Sequence, residues 1–371
     1  MGKANLFLAK IKEVQTPVII VASSYALVLS VMIVSQFLLP DSRVGNIGLF
    51  KSFNIWDGPH YLEIAEKGYE PIFTGFFPVF PILIWLVQKI TQLTFLASGL
   101  LVSSLSALLT SVILYKLVLL DESKNTALFI ILLIFLFPTA FFFFAPYSES
   151  IFLLLVALTF YLLRTKNFLL AFLVASLVTA TRIVGLAIVP AIIAELLFYN
   201  RSLIRQQPAI LILALTIPPL GFLYYLLLNF QTTGNPFYFS YINKINWHST
   251  FSPLGQGFIG AIKAVEWRSG TELLTLGYAQ IGAAILAITS IIYSFFKLRI
   301  SYFVFIAFGF FFIWSVSYWI SAPRYIMVLF PIFIFLARMC KYPIFKFSWL
   351  IFSIIFFVWL TFIAVQHGPL F

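Results

Sequence analysis

The sequence predicts an all-α polytopic membrane protein, and three observations carry that prediction. The chain is 62% hydrophobic and 9% charged, with a mean hydropathy of +1.05, far more apolar surface than a soluble globule can hide. Uncharged runs of around twenty residues recur along it, the length a helix needs to cross a bilayer core of about 30 Å. The runs are continuous, so backbone polar groups are satisfied within each segment, as in helices and unlike the alternating strands of a membrane barrel.

Taken in order, the apolar runs centre on residues 16–39, 93–115, 126–144, 150–163, 168–181, 183–198, 209–230, 273–296, 300–320, 325–337 and 347–366. They predict about eleven transmembrane helices in a single integral-membrane domain spanning residues 1–371. The first run, from Thr16 to Pro40, is too long for a signal-peptide core and lacks a cleavage site, so it is read as a retained helix. Residues 76–92, interrupted by Pro78, Pro81 and Lys89, are read as a juxtamembrane helix lying in the interface. Two intervals, 41–92 and 231–272, are long enough to fold outside the membrane, and the rest are tight turns. No internal repeat is visible, which leaves a transporter built on inverted repeats without sequence support.

The basic residues orient the chain, since lysine and arginine prefer cytoplasmic loops. With the N-terminus inside, Lys3, Lys10, Lys12, Lys116, Lys124, Arg164, Lys166, Arg201, Arg205, Lys297, Arg299, Arg338, Lys341 and Lys346 all fall on the cytoplasmic side. The other basic residues, Arg43 and Lys51 among them, fall outside or within helices. Eight of the twelve acids, including Asp57 and Glu149, then face outward. The net charge of +11 is thereby explained by topology, and nucleic acid is not expected as a partner. The single cysteine, Cys340, excludes an internal disulfide and a cysteine-rich metal site.

A charge at membrane depth costs roughly 2.5 kcal/mol or more and is a functional candidate by default. The segment Phe53–Pro81 holds four acids, Asp57, Glu63, Glu66 and Glu70, between aromatic residues. Pro59 suits the first turn of a short helix that stops at Gly68, and Glu63 and Glu66 fit its solvated face. Asp57 either caps that helix or, beside Trp56 and facing the bilayer surface, serves as a general base. His60 has no second ligand at metal spacing, so it either bonds locally or binds substrate. In Pro146–Ser150, Ser148 and Glu149 suit a helix start, or Glu149 reaches sugar hydroxyls or a cation near Asp57. Arg182 and Arg324 sit at the outer ends of helices, either paired internally with Glu149 or Asp57 or holding an anion such as a lipid phosphate. The phenylalanine stripes 141–144 and 308–312 are expected to pack against core or lipid.

Read together, several stretches resemble the glycosylphosphatidylinositol mannosyltransferase II (PIG-V type) family and its prokaryotic relatives. They are WDGPHYLEIAEKGY (56–69), FFPVFPIL (76–83), FAPYSESIFLLL (144–155), ATRIVGL (180–186), GNPFYF followed by Trp247 and Pro253, and APRYIMVLFPIFIFLA (322–337). Ile183-Val184 and Asn235 depart from the family's pattern at positions that bear on the acceptor. The resemblance implies the family-C glycosyltransferase fold, a polyprenyl-phosphate sugar donor, an extracytoplasmic active site and Asp57 as the catalytic acid of the first outer loop. It also implies a prokaryotic cell membrane, and the eukaryotic acceptor is not carried over.

The resulting expectation is an inverting mannosyltransferase that uses a polyprenyl-phosphate mannose and a lipid or glycan acceptor. Arg182 and Arg324 would hold the donor phosphate, and Trp56, His60, Tyr147, Glu149 and Tyr325 would contact sugar or acceptor. No cofactor or metal is expected, because arginines can neutralise a phosphate leaving group. Two alternatives stand beside it: the same fold with another sugar or a protein acceptor, and a lipid-linked sugar flippase. A flippase predicts charges spread through the membrane midplane.

Overall fold

The structure, a computed structural model, describes residues 3–38 and 48–366; Asp41 and Arg43, with the start of the first outer interval, lie outside the described residues. The described residues are helical almost throughout, and the protein is an integral membrane protein. Five helices are long and apolar enough to cross a membrane: Val14–Leu38, Phe95–Val118, Ala209–Thr233, Gly270–Lys297 and Pro343–Val365. The remaining predicted crossings form shorter helices, such as Lys124–Phe135 with 12 residues, Glu149–Arg164 with 16 and Pro331–Met339 with 9. The expectation of about eleven transmembrane helices therefore exceeds the number of described helices that reach spanning length. Proline explains two of the shortfalls: Pro138 follows one helix and Pro331 opens another, while Pro218 and Pro219 break the regular helix inside the Ala209–Thr233 span without shortening it below crossing length.

A broken helix inside a membrane protein exposes backbone carbonyls that only protein can satisfy. Where Lys124–Phe135 ends, the hydroxyl of Ser24 donates to the Phe135 carbonyl, and Ser353 donates to the Leu136 carbonyl at 2.6 Å. Thr179 does the same for Pro218, at 2.7 Å. The stretch beyond Pro138 folds as a 3-10 turn, Ala140–Phe143, whose phenylalanines are buried, Phe141 stacking on Phe53 at 5.5 Å. That stripe is core. The stripe near 310 divides, with Phe310 buried and Phe308 and Phe311 exposed on the surface available to lipid.

At the centre, Glu149–Arg164 packs along Phe95–Val118 and against Phe168–Thr179, while Ile300–Trp314 packs on Ile188–Tyr199. The predicted interfacial helix is present as Val79–Thr91 and lies beside the short helix Gly58–Lys67.

Two polar clusters mark the ends of the Glu149–Arg164 helix, whose length separates them by about 23 Å. At its C-terminal end, Arg164 pairs with Asp121, Arg338 with Glu122 and Arg299 with Glu195. All of these except Glu195 belong to loops assigned above to one face. They tie the ends of several helices together. The other cluster surrounds Glu149.

Candidate active site

Asp57 stands immediately before the helix Gly58–Lys67, with Pro59 in its first turn and Gly68 stopping it at a positive φ of 91°. The carboxylate makes no side-chain cap. It turns across the fold to Arg324, whose Nη1 lies 3.1 Å from Oδ2. The capping alternative therefore fails on geometry. The backbone approaches this point through a left-handed Trp56, φ 44°, a conformation that costs a non-glycine residue of order 1–3 kcal/mol. Tyr147 holds the turn: its hydroxyl donates to the Ile55 carbonyl at 2.8 Å and accepts from the Asp57 N–H at 3.1 Å. Burial pushes the Tyr147 phenol well above its ordinary value, so the donor proton stays in place.

Ser148 precedes the Glu149–Arg164 helix and it, too, does not cap with its side chain. Its hydroxyl accepts from Arg182 Nη1 at 3.0 Å and lies 3.2 Å from the Tyr61 hydroxyl. Glu149 is sealed from solvent, and one of its oxygens, Oε1, lies 2.7 Å from Arg182 Nη1 and 3.0 Å from Arg324 Nε. Neither contact has hydrogen-bond geometry, so the attraction is ionic and not directional. Arg182 is brought in by the 3-10 turn Ile183–Ala187, which folds back onto the preceding helix because Gly185 has no Cβ. A Cβ there would sit 2.3 Å from the Val178 carbonyl oxygen.

The four charges thus form one chain, Asp57–Arg324–Glu149–Arg182, made of two carboxylates and two guanidiniums. Aromatic faces complete it. The Tyr325 ring lies 5.1 Å from the Arg324 guanidinium and 5.3 Å from that of Arg182, and Phe142 and Tyr147 flank Arg324. The sequence expected these residues on one face of the membrane; the structure makes them neighbours.

A cavity of about 550 Å³ opens beside this chain. Asp57 is its one carboxylate among the described residues, with 19% of its side chain exposed, and Arg182, Arg324 and Tyr325 line it too. Of the other predicted contacts, Glu149 and Tyr147 lie behind the wall, fully buried, and do not line the cavity. Trp56 packs against Phe142 and His60 against Phe73 and Phe76, and neither ring lines the cavity. Glu63 is occupied by Lys67 on the outer surface of its helix.

The facing wall comes from residues that sequence reasoning assigned no role. The helix Tyr238–Trp247 presents Ser240, Asn243 and Trp247 to the cavity, at i, i+3 and i+7 on one helical face. That spacing was readable, but nothing in it said what the face looks toward. Phe237, Phe251 and Phe312 add apolar surface to the cavity lining. Among the described residues no three or more His, Cys, Asp or Glu side chains come together as a metal-ligand group.

A solved structure similar to the chain is the crystal structure of the Archaeoglobus fulgidus oligosaccharyltransferase complex with zinc and sulfate. It is 13% identical with a TM-score of 0.48, and the match covers 92% of this chain and 53% of that one. The chain spans about half the length of that neighbour, and so slight a likeness carries no argument. No curated protein matches the chain. Residues 7–337, which hold every charge of the Asp57–Arg182 chain and both walls of the cavity, match the family described as mannosyltransferase (PIG-V), and the protein belongs to that family of membrane glycosyltransferases.

Proposed function

We propose that the protein transfers a mannosyl residue from a polyprenyl-phosphate carrier to a hydroxyl of a lipid or glycan acceptor at the outer face of the membrane. The observation that carries this reading is the cavity itself. It offers one carboxylate, Asp57, beside two arginines, and apolar surface from Phe237, Phe251 and Phe312. A phosphate bearing a sugar on one side and a long hydrocarbon on the other matches that division. Cavities of roughly 300–1,000 Å³ accept ligands of drug size, here the sugar phosphate and the head of its carrier.

In the proposed step the acceptor hydroxyl lies between Asp57 and the anomeric carbon. Asp57 takes its proton, and the oxygen attacks C1 from the face opposite the phosphate. The C1–O bond to phosphate breaks, its electron pair leaves with the polyprenyl phosphate, and a β-linked donor yields an α-mannoside. Arg182 and Arg324 meet the charge that grows on the phosphate, in a site where preorganised donors count for most. In the resting arrangement Arg324 is committed to Asp57 and Glu149. A donor phosphate would draw it off Asp57 and free the carboxylate to act as base. Glu149, sealed and shared by both guanidiniums, keeps them charged and in place without touching substrate. Trp247 and Asn243 supply the acceptor side, a ring to cover a sugar face and an amide to bond hydroxyls. The guanidiniums bring the positive charge that a metal would otherwise supply, so we expect no metal requirement.

The outer-face assignment rests on the basic residues clustered at the far end of the Glu149–Arg164 helix. The test is to incubate the purified protein with radiolabelled polyprenyl-phosphate mannose and membrane lipid, with and without chelator. Label should move to a new glycoside with release of polyprenyl phosphate, and chelator should not stop it. Label crossing a bilayer without a new bond would instead identify a transporter, and transfer only from another sugar carrier would refute the mannose assignment.

A further inference from the structure

Arg324 sits at the end of a stretch that is not helical, residues 315–321, between the helices Ile300–Trp314 and Ala322–Ile326. Backbone of this kind inside a membrane protein persists only where its polar groups find protein partners. The second outer interval supplies the first of them. The Ser252 N–H donates to the Ser315 carbonyl at 3.0 Å, the Gly257 N–H to Val316 at 3.1 Å, and Ser317 donates to the Thr250 carbonyl at 2.9 Å.

The part nearest Arg324 is held differently, by one side chain. Gln280 is fully buried in the Gly270–Lys297 helix, just after a π-helical turn, Leu273–Tyr278. Its Oε1 accepts from the Ala322 N–H at 2.8 Å, and its Nε2 donates to the Ile320 carbonyl at 3.2 Å and to the Thr275 carbonyl at 2.9 Å. A glutamine amide has two donor hydrogens and a carbonyl acceptor, and all three functions are engaged. The two contacts to the stretch fall on either side of Ser321. Pro323, with its fixed φ, links this anchored point to Arg324. Single π turns concentrate at functional sites, and this one sets Gln280 opposite the stretch that carries the arginine.

The geometry points to Gln280 as a positioning residue for Arg324: its amide fixes the backbone from which the guanidinium reaches between Asp57 and Glu149, and so sets affinity for the donor phosphate. This rests on the reading above, in which Arg324 holds that phosphate. Apolar packing alone would leave the Ile320 carbonyl and the Ala322 N–H unpaired; the amide that pairs them also fixes the register of Arg324, two residues on.

The experiment compares Gln280→Leu, which removes every bond at similar volume, with Gln280→Glu, which keeps the acceptor for Ala322 and loses both donors. Each is made alone and together with Arg324→Ala, and the probe is undecaprenyl phosphate bound to the purified protein. Loss of the two contacts to the stretch should weaken binding about tenfold in Gln280→Leu, and at least as much in Gln280→Glu, whose buried carboxylate would face the Ile320 and Thr275 carbonyl oxygens. The Arg324→Ala/Gln280→Leu double variant should bind no worse than Arg324→Ala alone, because both act through one guanidinium. Hydrogen exchange should quicken in peptides covering 315–326 and stay unchanged around Arg182. Unchanged binding in Gln280→Leu, additive losses in the double variant, or unchanged exchange over 315–326 would each overturn the clamp. A wild-type protein that binds no undecaprenyl phosphate would refute the donor reading instead, and the exchange result would then decide the clamp on its own. If Gln280→Leu does not fold, Gln280→Glu carries the same comparisons.

Discussion

Replacing Glu149 with glutamine tests the electrostatics of the site without changing its shape. The wild-type carboxylate is inaccessible to solvent and serves two guanidiniums through one oxygen, 2.7 Å from Arg182 and 3.0 Å from Arg324. The amide keeps the volume and one acceptor oxygen but removes the charge. Arg182 then has no carboxylate partner, and Arg324 keeps only Asp57. Removing one partner of a buried pair costs about 3–5 kcal/mol, and the retained oxygen places this case at the lower end, ~3 kcal/mol. The two contacts share an atom, so the costs are not added. A loss of that size lowers the folded-to-unfolded ratio by a factor on the order of 100 and the melting temperature by roughly 4 °C. Cys340 gives the assay: it is the only cysteine and it is buried, so a thiol-reactive dye reports unfolding in detergent directly. Glu63→Gln, at the exposed Lys67 pair, is the control and should melt with the wild type. If Glu149→Gln also melts with the wild type, Glu149 is not the counter-ion that holds the arginines, and the reasoning behind the four-charge chain is wrong.

Three further outcomes follow from the geometry. Tyr147→Phe removes the hydroxyl that bridges Ile55 and Asp57, and should lower kcat about tenfold or more while leaving donor KM near the wild-type value, since Tyr147 does not line the cavity. Trp247→Ala should raise the acceptor KM several-fold while Trp56→Ala leaves it unchanged, because Trp247 lines the cavity and Trp56 packs on Phe142 behind it; equal effects in steady-state kinetics would contradict this. A reporter active only outside the cytoplasm should be silent when fused near Asp121 and active near Gly255, and the reverse pattern would invert the topology.

The sequence made the charged residues conspicuous because so few interrupt the apolar runs. Asp57, Glu149, Arg182 and Arg324 could be placed on one face of the membrane from loop charges alone. What it could not supply was partnership. A local rule reads Asp57 and Ser148 as helix caps, and both occupy capping positions, yet their side chains answer to Arg324 and Arg182, far away in the chain. The same limit governs Trp56 and Trp247. Proximity in sequence to Asp57 favours the first, while the fold turns it toward Phe142 and brings the second to the cavity. Hydropathy also misses breaks within a run. It sees an apolar run through Pro138, but not the break there, because the hydroxyls that make the break tolerable come from Ser24 and Ser353 on other helices. Gln280 was illegible for a related reason: a lone glutamine in an apolar run carries no sign of the backbone it clamps. Positions that one segment decides, such as the Gly58–Lys67 helix with its proline start and glycine stop, came through correctly.

The central claim is that Asp57, held by Arg324 in the wall of the cavity, is the base for sugar transfer. Its most direct test is the initial rate of mannosyl transfer by Asp57→Asn beside the wild type, with both proteins matched for folding by the Cys340 dye assay. Asparagine preserves the shape at Asp57 and cannot take the proton. A positioned general base contributes about 100- to 10,000-fold, so transfer should fall by at least 100-fold while the variant still binds undecaprenyl phosphate. Transfer within a few-fold of the wild-type rate would contradict the account and move the base elsewhere.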